Sequence, residues 1–373
     1  MSAAIPATLL GLVQRYSPSG QEGEAVAWLV AHMSALGFTR AFVDEAGNAV
    51  GIMGTGPRQV MLLGHIDTVP GAIPVRVQAG KLYGRGSVDA KGPLAAFVDA
   101  VAAVGALPNW QFAVIGAVGE EADSRGAWHV VGRYSPDLAI IGEPSGWERV
   151  TLGYRGSLWL EYRVRRPLSH TASGDESACE AAVGFWNRLR ARCDAHNAGR
   201  RRVFEQLSPT LRAMRSENDG FEERAALQIG VRLPPGMSPA QWQETLHELS
   251  GDGEVHILDR PVPAYRAEKN TALVRAFLAA IRAQGGAPAF VLKSGTSDMN
   301  IVGPVWGCSM LAYGPGDAAL DHTPQEHLSL AEYQRAVQVL AQVLRSLGTE
   351  PPIPAPHKGA HSPPRPGGGR GRE

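Results

Sequence analysis

The amino-acid sequence predicts an α/β fold, a mixed and mostly parallel sheet with helices on both faces, carrying an inserted α+β unit. Three observations lead there. Short apolar runs of strand type alternate with helical patterns in the first 150 residues. Several of those runs end directly in His, Asp or Glu. A middle stretch then switches to strict two-residue alternation before the first pattern resumes.

The elements follow in order. Val26, Leu29, Val30, Met33 and Leu36 recur with helical spacing, and Gly37 supplies a C-terminal stop. Ala49 to Met53 and Gln59 to Leu63 read as buried strands, the second leading into Gly64-His65. Leu94 to Val104 reads as an alanine-rich buried helix. Phe112 to Val118 and Leu138 to Ile141 are strands that lead into Gly119-Glu120-Glu121 and Gly142-Glu143. In open α/β sheets ligands bind beyond the carboxyl ends of the strands, where these residues fall.

From Ser157 to Val164 the pattern changes. Leu158, Leu160, Tyr162 and Val164 share one face of a half-buried strand. Glu180 to Arg192 and Pro239 to Leu249 look helical, and Ala226 to Leu233 alternates again. This predicts a small α+β unit over 156–260, set within a discontinuous domain of 1–155 and 261–350. The later elements are a helix at Thr271 to Gln284, strands at Ala289 to Leu292 and Cys308 to Tyr313, and a long helix at Ser329 to Leu347. Residues 351–373 are rich in Pro and Gly and nearly lack apolar side chains, so they read as a disordered tail.

Bulk properties exclude some partners. Lys+Arg and Asp+Glu both number 36, so nothing global marks a nucleic-acid or anionic-membrane partner. The amino terminus has no basic leader region followed by a long apolar run, and no stretch approaches the roughly 20 apolar residues of a spanning helix. Cys179, Cys193 and Cys308 are scattered and form no CxxC pair. Free thiols and a cytoplasmic location are the expectation.

The chemistry lies in the strand ends. In Gly64-His65-Ile66-Asp67 the i and i+2 side chains point the same way. His65 can then ligate a metal while Asp67 accepts its other ring N–H. Asp89 stands just before a helix, where it could be an N-cap or could bridge two cations. Glu120 and Glu121 repel each other, and burying both is costly without cations. One could bind metal while the other holds a water, or the pair could be an exposed acidic turn. Glu143 and His322 add a further carboxylate and imidazole. Nitrogen and oxygen ligation of this kind suits zinc, cobalt or manganese. Two such ions could polarise a carbonyl and acidify a water, with Glu120 accepting its proton.

Taken in order, GHIDTVPG, LYGRGSVDAKGP, GEE, GEPS and DHTPQEH resemble the co-catalytic metallopeptidase and deacylase clan. That clan includes aminoacylase, acetylornithine deacetylase, succinyl-diaminopimelate desuccinylase and carboxypeptidase G. The resemblance covers the chain to about residue 348 and implies two divalent ions, zinc or cobalt. His65 and Glu143 would hold one ion, Glu121 and His322 the other, and Asp89 would bridge. Glu120 would be the general base and Asp67 would orient His65. His170, in Leu168-Ser-His-Thr-Ala172, resembles a lid histidine that reaches the partner subunit's site, which implies a homodimer through the lid. Ser294, Gly295 and Thr296 resemble a loop that holds the substrate carboxylate. Arg232 stands where the clan often has a lid arginine, and a structural salt bridge is an equal reading. Ala90 and Pro93 depart from residues many relatives carry there, without touching a ligand.

Within the clan, GHIDTVPGAIPVRVQAGKLYGRGSVDAKGPLAAF and LGYRGSLWLEYRV resemble the hydrolases that release lysine or ornithine from LysW, a small acidic amino-group carrier protein. The amino acid is there joined through its α-amino group to the γ-carboxyl of the carrier's C-terminal glutamate. Two other readings stand beside this one. The first is a deacylase of a small substrate such as acetylornithine or a succinyl-diaminopimelate, and the second a non-catalytic binding protein.

Overall fold

The structure is a computed structural model that describes residues 5–348. The predicted tail at 351–373 lies outside the described residues. Among these, nine strands form the main sheet. Its centre is parallel. Arg58–His65 lies between Trp110–Ala117 and Leu138–Gly142, and Ser309–Ala312 pairs beyond Leu138–Gly142. Ala49–Met53 and Arg40–Val43 extend one side antiparallel. Arg149–Tyr154, with Ala289–Lys293 and Tyr265–Arg266 beside it, extends the other.

The continuous apolar character of the central strands has a simple cause. Val60 and Leu62 face one core, with Phe112 and Val114 from the neighbouring strand. Met61 and Leu63 face a second core, with Ala113 and Ile115. Alternate residues thus feed opposite faces, and both faces are covered by helices. The first core takes Gly23–Ala35, Lys91–Val104, Ala272–Ala283 and Leu330–Leu347; the second takes Arg125–Val131 and Met299–Trp306. The helix ends follow their sequence signals. Gly37 takes φ +82 just past Gly23–Ala35, and the Thr271 and Ser329 side chains cap the two later helices.

A second antiparallel sheet runs in the order Ser208–Asn218, Glu222–Leu233, Gly156–Pro167, Glu254–Ile257. The predicted face of Leu158, Leu160, Tyr162 and Val164 packs on Ala178–Asn197 and Pro239–Leu249 through Phe185, Leu189, Trp242 and Leu246. Both helices begin with a capping box, Ser177 with Glu180 and Ser238 with Gln241. Several strands lie beyond the sequence reading, among them Ser208–Asn218 and Arg149–Tyr154. Ser208–Asn218 is exposed along most of its length, so it has no apolar alternation to betray it. Arg149–Tyr154 is short and runs into a second strand after Arg155. No helix among the described residues is long and apolar enough to cross a membrane.

One polar network joins helices in the first core. The Thr8 hydroxyl donates to Asp99 and lies 2.8 Å from His32 Nε2, while Tyr333 Oη donates to the other Asp99 oxygen at 2.6 Å. Burial pushes the Asp99 carboxyl above its usual range, although both hydroxyls pull it back. Tyr333→Phe removes one donor from a mostly desolvated carboxyl group. We expect a loss of about 1–3 kcal/mol in urea denaturation.

Candidate metal centre

The register of the parallel strands assembles the site. His65 pairs with Ala117, and Gly64 pairs with Gly142. The chain segments carrying His65, Glu120, Glu121 and Glu143 therefore leave the sheet at one edge. Close packing explains the Gly142-Glu143 spelling, since a Cβ at Gly142 would meet Gly64 Cα at 3.0 Å and the Phe97 ring at 2.9 Å. Gly119 has φ +77, which turns the chain sharply after its strand.

That turn aims two backbone N–H groups at one carboxylate. Asp67 is fully buried, and its oxygens accept from Glu120 N and Glu121 N, both at 3.1 Å, and from Ser19 Oγ at 2.7 Å. Asp67 Oδ1 also lies 3.4 Å from His65 Nδ1, and the Asp67 carbonyl lies 3.1 Å from the same nitrogen. Burial pushes the Asp67 carboxyl up, but the contacts from His65, Ser19 and the Glu121 N–H outweigh it, so it sits below the usual range. A proton on His65 Nδ1 leaves Nε2 to face the site.

Nε2 of His65 lies 3.3 Å from Asp89 Oδ1 and 3.9 Å from Glu120 Oε2. On the other side of Asp89, His322 Nε2 lies 3.1 Å from Asp89 Oδ2 and 3.0 Å from Glu121 Oε1. Asp89 thus stands between two imidazoles, one oxygen toward each. It is not an N-cap: Ala90 holds that position before Lys91–Val104, without a side-chain cap. One atom each from His65, Asp89 and Glu121 lie within 4.8 Å of one another. Glu120 and Glu143 line the same cavity, about 470 Å³ in volume.

The electrostatics calls for cations. Burial pushes Glu120 and Glu143 well above the usual carboxylate range. Glu143 and Glu121 add to the shift at Glu120, and Asp89 adds to that at Glu143. Glu121 is raised by burial and less by Asp89, with His322 opposing. Asp321, beside His322, is raised to about 8 by burial and by Asp89. Its Oδ1 is buried without a hydrogen-bond partner, as is Asp298 Oδ1. His322 goes the other way, raised to about 10 by Asp89 and Glu121. Carboxylates in this number, with two imidazoles and unpartnered oxygens among them, fit divalent cations.

The remaining candidates divide. Arg232, Ser294, Gly295 and Thr296 line the same cavity as the acidic cluster. Arg232 Nη1 donates to Thr296 Oγ1 at 2.5 Å, so its partner is a hydroxyl rather than a salt-bridge carboxylate. His170 does not reach the cavity of its own chain. It is exposed on the loop after Gly156–Pro167 and accepts from Ala172 N at 3.1 Å. The sequence reading passed over Tyr154, Trp159, Arg260 and Lys293, which line the cavity too. Lys293 donates to the Pro144 carbonyl at 2.6 Å and partly offsets the charge on Glu143. Its place directly before Ser294 was the available signal.

The family model described as Peptidase family M20/M25/M40 matches residues 61–346. The chain is 48% identical to a LysW-lysine hydrolase of Deinococcus radiodurans over 89% of this chain and 93% of that protein. It is 26% identical to a LysW-lysine/LysW-ornithine hydrolase of Saccharolobus solfataricus over 91% of this chain and 94% of that protein. Its fold is similar to the crystal structure of an M20-family metallo-carboxypeptidase from Sulfolobus solfataricus, with a TM-score of 0.73, 18% identity, and 91% and 98% of the two chains covered.

Removing the Asp67 carboxylate by Asp67→Ala frees His65 and strands two backbone donors. We expect zinc affinity of the metal-free protein to fall on the order of 10–100-fold, measured by competition with a chromogenic chelator.

Proposed function

The chain belongs to peptidase family M20/M25/M40, and from that premise we propose that it hydrolyses the amide that joins L-lysine, or L-ornithine, to the C-terminal glutamate of the carrier protein LysW. The observation that carries the reading is the 48% identity to a LysW-lysine hydrolase across 89% of the chain. The clustered His65, Asp89, Glu121 and His322 support it chemically.

In this reading His65 and Glu143 would hold one divalent ion, Glu121 and His322 would hold another, and Asp89 would be shared by the two. Such ions, zinc or cobalt, supply Lewis acidity toward the amide carbonyl and acidify a water. Glu120 takes a proton from the attacking water. Its burial among other carboxylates raises its proton affinity toward that of a useful base. A C–O bond forms at the carbonyl and the C–N bond breaks. Glu120 then passes the proton to the departing amine, which leaves as the free α-amino group of lysine. Arg232 and the Ser294–Thr296 loop, which line the same cavity, hold the carboxylate of the released amino acid in this reading.

The smaller unit at 156–260 acts as the lid, and a homodimer forms through it. His170 then serves the other copy's site by donating to the developing oxyanion. The position of His170, exposed and away from its own cavity, is consistent with that role. The reaction takes place in the cytoplasm.

Two outcomes test the reading. Glu120→Gln should lower kcat by about 10²–10⁴-fold while metal content is retained, because it deletes proton transfer alone. Purified protein should lose lysine release from LysW-lysine when treated with a chelator and regain it with zinc or cobalt. Turnover of acetylornithine with none of LysW-lysine would replace the carrier by a small acyl substrate.

A further inference from the structure

A buried ion pair outside the ligand set joins the two loops that carry Asp89 and His322. Glu326 lies four residues after His322 and is 1% exposed. Its Oε1 accepts from Val88 N at 2.9 Å and Asp89 N at 3.2 Å. Its Oε2 accepts from Arg85 Nη1 at 2.9 Å. The same Arg85 Nη1 donates to the Thr323 carbonyl at 3.2 Å, and Nε donates to the Gly71 carbonyl at 2.9 Å. Around this pair, His327–Ser329 is zipped antiparallel to Lys81–Tyr83.

We propose that Glu326, held by Arg85, is a positioning residue for metal binding: it sets the distance between Asp89 and His322. The inference rests on the metal centre described above. Neither residue touches the cavity, so each acts through the backbone. Glu326 fixes the peptide that presents Asp89, and Arg85 fixes the carbonyl next to His322. One carboxylate therefore references both loops to a single point. His322 has φ +62, a conformation a non-glycine residue keeps only when its surroundings hold it there. Asp89 has one oxygen for each imidazole, so a shift of either loop opens one of its two contacts.

An ion pair in the interior need not be present for stability, since apolar residues of equal volume often serve as well. A positional role explains its place between the two loops. Glu326→Gln tests it, because an amide offers only one oxygen. Its NH₂ group must face either the two backbone N–H donors or the Arg85 guanidinium, donor against donor. Metal-free wild-type protein and the variant are titrated with zinc against a chromogenic chelator, at a temperature where circular dichroism shows both folded. The expected result is zinc affinity lower by at least about tenfold in Glu326→Gln, within the range for outer partners of metal ligands. Arg85→Lys, which keeps the charge but loses the fork, should weaken zinc binding as well and serves if the first variant does not fold. Tyr333→Phe, in the Asp99 network, should lose stability while keeping zinc affinity. Affinity within twofold of wild type in whichever variant folds overturns the inference and leaves the metal centre intact. Wild-type protein that binds no zinc overturns both.

Discussion

The site depends on the environment of one carboxylate. Asp67 is buried at the end of the central strand, and everything it accepts comes from a different direction: an imidazole on its own strand, two backbone N–H groups from the Glu120-Glu121 turn, and a hydroxyl from Ser19 near the amino terminus. An isolated buried carboxylate is expensive, and this one is tolerated because donors surround it. Their arrangement fixes the His65 ring and the two adjacent glutamates at once. Glu120 and Glu121 start from neighbouring backbone positions tied to the same group, and their side chains diverge, Glu120 toward His65 and Glu121 toward His322.

Around that anchor the molecule accumulates negative charge. Asp89, Glu120, Glu121, Glu143 and Asp321 line a single cavity. Arg232, Lys293 and Arg260 line it too, with Lys293 donating to the Pro144 carbonyl beside Glu143. Acidic and basic side chains thus share one cavity. The central parallel strands bring His65, Glu120, Glu121 and Glu143 together, because they deliver their carboxyl ends to one edge. Arg232 and Trp159 reach the cavity from the antiparallel sheet.

Much of this was legible in the sequence. The strands at Ala49, Gln59, Phe112 and Leu138 are continuous apolar runs because two cores claim them, and such runs are visible without a structure. Leu158 to Val164 alternates because only one face of its sheet is covered by helices. Glycine followed by a polar residue marked the strand ends. Ser208–Asn218 was illegible for the opposite reason, since its side chains bury too little to leave a pattern. Arg85 and Glu326 were equally hidden. Each sits inside a quoted motif, but their pairing across the chain has no local signature. The choice between an N-cap and a ligand position for Asp89 likewise needed the structure, because both place a carboxylate before a helix.

The insertion point of Ser309–Ala312 has a consequence for how the protein is made. This strand enters the main sheet next to Leu138–Gly142, between segments completed long before it. The loop that follows it carries His322. A chain still emerging from the ribosome therefore has His65, Asp89, Glu121 and Glu143 but not the last imidazole, and its sheet lacks an inner strand. Such distant closure is slow to reach compared with local contacts. The inner strand and the loop bearing His322 therefore join late in synthesis, and the contacts of His322 with Asp89 and Glu121 form only after that closure.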